Sequence, residues 1–182
     1  MTLLEAPVDL DCRIAALQGA PGLAKQDILT RFAARLRREG LRVAGVIEES
    51  DCSRVGGCKN LGVRDLVSGR RFSISQPLGV GSTACNLDPV GLACACALVE
   101  QAIDQGADVV VLSKFGKAEA ERGGLADAFR AAMFAGIPLV TTVAPVVADD
   151  WSRFAGPLAT YIDAADNVLD AWWSRTAGLQ MH

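Results

Sequence analysis

Two lysines, a serine and a glycine follow directly on the most apolar short run of the chain. Asp108-Val109-Val110-Val111-Leu112 leads into Ser113, Lys114, Phe115, Gly116 and Lys117. Lysines and exposed backbone N–H groups offer charge and donors to an oxyanion, and no ligand atoms to a metal. A site that held a magnesium–phosphate complex would present an acid at this position, and often a second acid to activate water. Arg122 adds to the positive sign, whereas Glu119 and Glu121 oppose it and can pair with these bases. The residue types point to anion binding more than to hydrolysis.

A second group lies near the start of the chain, at Gly19-Ala20-Pro21-Gly22-Leu23-Ala24-Lys25-Gln26. The pattern GxxxxGK[ST] cradles phosphates: its glycines free backbone N–H groups, its lysine meets the phosphates and its hydroxyl holds Mg²⁺. Here Ala24 precedes Lys25 and Gln26 follows it, so the metal-holding hydroxyl is missing. Gly19, Gly22 and Lys25 still suit an anion at the start of a helix, though the same residues also suit a plain turn. Gly81, Ser82 and Thr83 belong to a Gly-rich loop, 79–86, that offers further donors.

Six cysteines are present, and Cys58 and Cys85 flank a candidate hairpin. That pair could ligate a soft metal, with Cys52 as a third ligand. No CxxC spacing occurs, and Cys94 and Cys96 cannot share a helix face, so a structural role competes for all of them. The single histidine is the last residue, His182, which effectively excludes a His-based metal site and a Ser-His-Asp triad.

These residues need elements to position them. Four apolar residues at 109–112, three of them β-branched, predict a strand buried on both faces of a parallel sheet. Residues 13–17 and 43–47 predict two more strands, joined by a helix over 23–39 that ends at Gly40. This β-turn-α-β unit opens a doubly wound fold. Residues 48–60 read as a polar loop, and 61–66 with 71–75 as a β-hairpin around 67–70. Asp88 and Pro89 predict the start of a helix that runs to Gln105. A helix over 119–135, a strand over 138–143, a helix over 151–161 broken near Gly156-Pro157, and a closing helix over 166–175 complete the chain. In such sheets ligands bind just beyond the carboxyl ends of the strands.

The 182 residues predict one α/β domain, 1–182, with an insertion at about 48–88. A net charge of −3 gives no reason to expect nucleic acid or an acidic membrane. No apolar run is long enough to span a bilayer, and the N-terminus lacks a basic region, so the cytoplasm is the expected location. A homo-oligomer is possible, and Trp151, Trp172 and Trp173 would bear on it if they were exposed.

The run from Val109 through Ser113-Lys114-Phe115-Gly116-Lys117-Ala118-Glu119 resembles the strand-plus-NKFGKxEAEGRGL signature of a bacterial domain family of unknown function, often encoded near molybdate-transport genes. Cys58, Asp65 to Arg71, Ser73 to Gln76 and Cys85 to Pro89 are similar to its second signature. That family in turn looks like a distant relative of THEP-type nucleoside triphosphatases and of the GTP-binding protein of molybdopterin-guanine dinucleotide synthesis. Those carry an acidic DEIGKME where this chain has Ser113-Lys114-Phe115-Gly116-Lys117-Ala118-Glu119, and Ser113 also replaces the asparagine of the nearer family. The resemblance implies a P-loop-NTPase-like three-layer fold, with a mostly parallel sheet and an inserted hairpin, and a role around molybdenum. Molybdate or tungstate is the ligand it favours, held by Ser113, Lys114, Gly116, Lys117, Glu119, Arg122 and the Gly-rich loops. A divergent nucleoside triphosphatase and a cysteine-based metal or redox module are the alternatives.

Overall fold

The computed structural model describes residues 12–51, 60–77 and 85–178. A sheet forms its centre, with strand order β4 (Arg71–Ser73), β3 (Asn60–Asp65), β2 (Val43–Asp51), β7 (Val109–Leu112), β8 (Leu139–Thr142), β1 (Ile14–Gln18), β9 (Ala159–Asp163). Five strands run parallel: β1 (Ile14–Gln18), β2 (Val43–Asp51), β7 (Val109–Leu112), β8 (Leu139–Thr142) and β9 (Ala159–Asp163). Their side chains explain this. Ile14 to Leu17, Val109 to Leu112 and Leu139 to Thr142 are buried throughout, as strands covered on both faces must be.

Helices cover both faces. α1 (Gly22–Arg38) and α6 (Asp166–Gly178) pack Leu29, Phe32, Leu36, Leu169, Trp172 and Trp173 against Ala15, Leu17, Val109 and Val111. On the other face, α2 (Pro89–Asp104), α4 (Ala126–Phe134) and α5 (Ala148–Ala155) cover Ile14, Ala16, Val110 and Leu112. The result is the expected three-layer α/β arrangement. All three tryptophans belong to these cores: Trp151 is 2%, Trp172 3% and Trp173 7% exposed, so none offers a subunit contact.

Two antiparallel strands extend the sheet beyond β2: β3 (Asn60–Asp65) and β4 (Arg71–Ser73). The hairpin is therefore a continuation of the main sheet. β2 also runs on to Asp51, where a loop is expected from residue 48, because Glu48 to Asp51 pair with Asn60 to Val63. Gly45 within β2 has φ 134°, and a Cβ there would lie 1.8 Å from the carbonyl oxygen of Val111. Only glycine lets β7 approach this closely. A small ribbon of β5 (Ser75–Pro77) and β6 (Cys85–Leu87) stands apart. Cys85 and Asn86 are thus in a strand, where a loop is expected.

Two further elements differ from expectation. The helix expected over 119–135 is split into α3 (Lys117–Ala120) and α4, because Arg122 and Gly124 both adopt positive φ. Residues 159–161, expected to be helical, belong to β9, which pairs in parallel with β1 from Ile14↔Ala159 to Gln18↔Asp163. Gly156 (φ 52°) and Pro157 end α5 and redirect the chain, after which Thr160 and Ile162 suit a strand.

Candidate functional site at the carboxyl edge of the sheet

The chain leaves β1 through α1 toward β2, and leaves β8 through α5 toward β9 on the opposite side of β1. The adjacent strands β1 and β8 thus send their connections over opposite faces of the sheet, α1 on one and α5 on the other. In an open α/β sheet the crevice for a ligand lies beyond the carboxyl ends of such a pair.

The turn from β1 into α1 forms one wall. Gly19 has φ 78°, and a Cβ on it would lie 3.8 Å from Asp163 Oδ1, which places the Asp163 carboxylate against the turn. α1 then starts at Gly22 behind Pro21 with no side-chain cap and no acid in its first turn. The amide of Lys25 bonds the Pro21 carbonyl, so the N–H groups of Gly22, Leu23 and Ala24 precede the intrahelical ladder. Their dipoles and the half-buried Lys25 favour an anion at this end of α1, and the Asp163 carboxylate beside the turn opposes it.

Gln26 ties the edge together. It is 8% exposed; its Nε2 donates to the Ser113 carbonyl at 2.8 Å, and its Oε1 accepts from the Glu48 N–H at 3.2 Å. One side chain on α1 thereby joins the residue that follows β7 to Glu48 within β2. Thr142 on β8 donates its hydroxyl to the same Ser113 carbonyl at 2.9 Å. Ser113 is itself buried.

Past Ser113 the chain is anchored by Phe115, which is fully buried against Phe129, Trp151 and Phe154. Its backbone continues the β8 pairing, with Phe115 N–H donating to the Thr142 carbonyl and Ala144 N–H donating to the Phe115 carbonyl. Lys114 and Lys117 are thus left exposed on either side of a fixed residue. Lys114 Nζ lies 3.4 Å from Glu48 Oε2, a long and half-exposed pair of little energetic weight. Among the described residues Lys25 and Lys117 have no ion-pair partner.

Glu119 is engaged with the backbone. Its Oε2 accepts the Gly116 N–H at 2.8 Å and its Oε1 accepts the Leu125 N–H at 2.9 Å. It closes the start of α3 and holds the split between α3 and α4. Arg122 lines a different cleft, of about 630 Å³, together with Phe115, Glu119, Ala120, Arg130, Asp150, Arg153 and Phe154, and with none of Lys25, Lys114 or Lys117. Gly19, Gly22 and Lys25 thus follow β1, and Ser113, Lys114, Gly116 and Lys117 follow β7, with the Gln26–Ser113 hydrogen bond joining the two segments, whereas Arg122 lines another cleft. Gly81, Ser82, Thr83, Cys52 and Cys58 lie outside the described residues, as does the side chain of Cys85. Among the described residues no group of three or more His, Cys, Asp or Glu is placed to hold a metal.

Sequence reasoning missed Gln26 as a tie, and Thr142, Glu48 and Asp163 as members of the edge. The signal for Glu48 was its place at the end of an apolar strand. Asp163 became visible only once β9 was recognised as a strand beside β1.

A family model described as "Protein of unknown function (DUF2478)" matches residues 14–172. A protein named molybdenum import ATP-binding protein ModC 2, from Bradyrhizobium diazoefficiens, is 38% identical over 165 residues. That match takes in 91% of this chain and 18% of the relative, so the chain spans about a fifth of that protein's length. The crystal structure of THEP1 from Aquifex aeolicus superposes with a TM-score of 0.57 at 17% identity, covering 91% of this chain and 96% of that one. The scaffold is thus P-loop-NTPase-like.

Proposed function

We propose, starting from the fact that this chain belongs to the DUF2478 family of proteins of unknown function, that it is a binding module for a small tetrahedral oxyanion of the molybdate or tungstate class. The observation that carries this reading is the uncapped, acid-free first turn of α1 at the strand-end crevice, with Lys25 in that turn and Gln26 committed to a structural tie. A tetrahedral dianion needs donors and positive charge, and no metal. The N–H groups of Gly22, Leu23 and Ala24, with Lys25, Lys114 and Lys117, supply both. Gln26 stands where a magnesium-holding hydroxyl would be, and its amide is already used.

Charge-assisted hydrogen bonds contribute roughly 1.5–3 kcal/mol each. Two or three of them support roughly micromolar binding after the cost of association. The preference for molybdenum draws on the name of the ModC 2 relative, whose matched segment is a fraction of its length. The place of action this suggests is the cytoplasm; among the described residues no helix is long and apolar enough to cross a membrane.

Isothermal titration of molybdate into the purified domain tests the reading. Lys25→Ala and Lys114→Ala are each expected to weaken binding at least about tenfold, close to 1.4 kcal/mol. An affinity that both substitutions leave unchanged would remove the crevice from the binding site.

A second reading rests on Glu48 and Asp163. Both carboxylates stand at this edge, and either could replace the missing magnesium ligand for a nucleotide whose phosphates meet Lys25. Magnesium-dependent phosphate release from a nucleoside triphosphate, lost in Lys25→Ala, would support it.

A further inference from the structure

Away from the strand-end crevice, the cleft between α3, α4 and α5 gathers Arg122, Arg130 and Arg153 around one space of about 630 Å³. That volume is in the range of small-molecule sites and far exceeds what an inorganic tetrahedral ion fills. Its lining also holds two carboxylates, Glu119 and Asp150. Both oxygens of Glu119 are taken by the Gly116 and Leu125 N–H groups, and Asp150 accepts from Arg153 at 2.6 Å. Arg130 is paired with Asp127 in turn, so the guanidinium without an ion pair among the described residues is that of Arg122.

Two features point from this charge to a ligand. Arg122 adopts φ 68°, the sole non-glycine positive φ among the described residues, between neighbours that include two glycines. A long side chain in the left-handed region is strained relative to glycine, so arginine stands at this turn against local preference. Gly124 is packed so tightly that a Cβ would lie 2.2 Å from Glu119 Oε1, which fixes the path of the turn that presents Arg122. Arg130, for its part, is held in place by Asp127 at 2.7 Å and by the Phe154 ring, 5.5 Å from its guanidinium carbon.

We propose that this cleft is a second anion-binding site, one that takes a small organic phosphate through Arg122, Arg130 and Arg153. Guanidinium groups fork onto phosphate oxygens in pairs, and several around one cleft suit a group carrying two charges better than a single carboxylate. The cleft's size leaves room for the organic part. The site stands independently of the strand-end crevice.

The test uses glycerol 3-phosphate and ribose 5-phosphate as probes, with citrate as the carboxylate control. Affinity is measured by calorimetry and folding by thermal unfolding. Arg122→Gly is expected to leave the unfolding temperature unchanged or slightly higher, since glycine relieves the backbone, while both phosphates bind at least tenfold more weakly. Arg153→Gln is expected to weaken them in the same direction. Failure of the unsubstituted protein to bind either phosphate would overturn the assignment. So would an affinity that both substitutions leave unchanged, which would put the phosphate elsewhere, or tighter binding of citrate than of both phosphates.

Discussion

Glu119 is a buried acid whose two oxygens each meet a backbone N–H, and its partners are on both sides of the α3–α4 break. Glu119→Gln turns one acceptor into a donor that faces another donor. It is expected to cost about 1–3 kcal/mol, seen as a lower urea midpoint with an unchanged slope. An unchanged midpoint would mean that the carboxylate does not hold the break. The cysteines allow a second prediction at this scale. Cys94 is exposed, whereas burial pushes the Cys96 thiol up to about 11 from 9.0. A raised value stabilises the fold fully below pH 9, with the benefit lost as the pH rises through about 11. At pH 8, therefore, Cys96 remains a thiol, and iodoacetamide followed by peptide mass spectrometry is expected to label Cys94 well before Cys96. Equal labelling would contradict the buried placement of Cys96.

The elements that frame the crevice depend on two contacts that no periodicity reveals. Gln26→Ala leaves the Glu48 N–H without its side-chain acceptor and removes one of the two donors to the Ser113 carbonyl. It is expected to destabilise by about 1–3 kcal/mol in urea unfolding. Gly45→Ala would press a Cβ into the β7 backbone and is expected to cost well above the ~1 kcal/mol of an ordinary substitution. A midpoint near that of the unsubstituted chain would contradict the close β2–β7 approach. The buried strands, α1, α2 and the hairpin were legible in the sequence, because runs such as Val109 to Leu112 and caps such as Asp88, whose Oδ1 accepts the Val90 N–H, carry local signals. The break after α3 was not read, although Gly123-Gly124 marked it, because the apolar spacing of Leu125, Ala128 and Phe129 continues a helical pattern across it. β9 was hidden for a different reason: its place is set by pairing with β1, a contact between residues far apart in the chain. The lysines of the crevice were visible as residues, whereas Glu48, Asp163 and Thr142 joined them only through strand pairing.

Across the whole molecule, acid should loosen the sheet at both of its borders with β2. Burial opposes charge on Glu49, but Arg64 and Arg71 overcome it and hold its carboxyl below 4.5. Arg42 hydrogen bonds hold Asp108, just ahead of β7, below 3.8. A depressed value stabilises the fold above the ordinary carboxylate range, with the benefit lost as the pH falls through the lower folded values. Stability is therefore expected to decline below pH 4.5, less steeply in Arg64→Gln than in the unsubstituted chain; an identical decline would remove Glu49 from the account. The central claim concerns the crevice between β1 and β8, and thermal unfolding of the reduced protein tests it most directly. Molybdate is titrated into the Arg122→Gly protein, in which the phosphate cleft between α3, α4 and α5 is disabled, with sulfate and magnesium-ATP in parallel. A hundredfold excess of a ligand over its Kd adds about 2.7 kcal/mol to the folded state. At this chain length that is a rise of roughly 5–10 °C. The account predicts such a rise with molybdate and none with sulfate or magnesium-ATP. A rise with magnesium-ATP and none with molybdate would contradict it and make the crevice a nucleotide site.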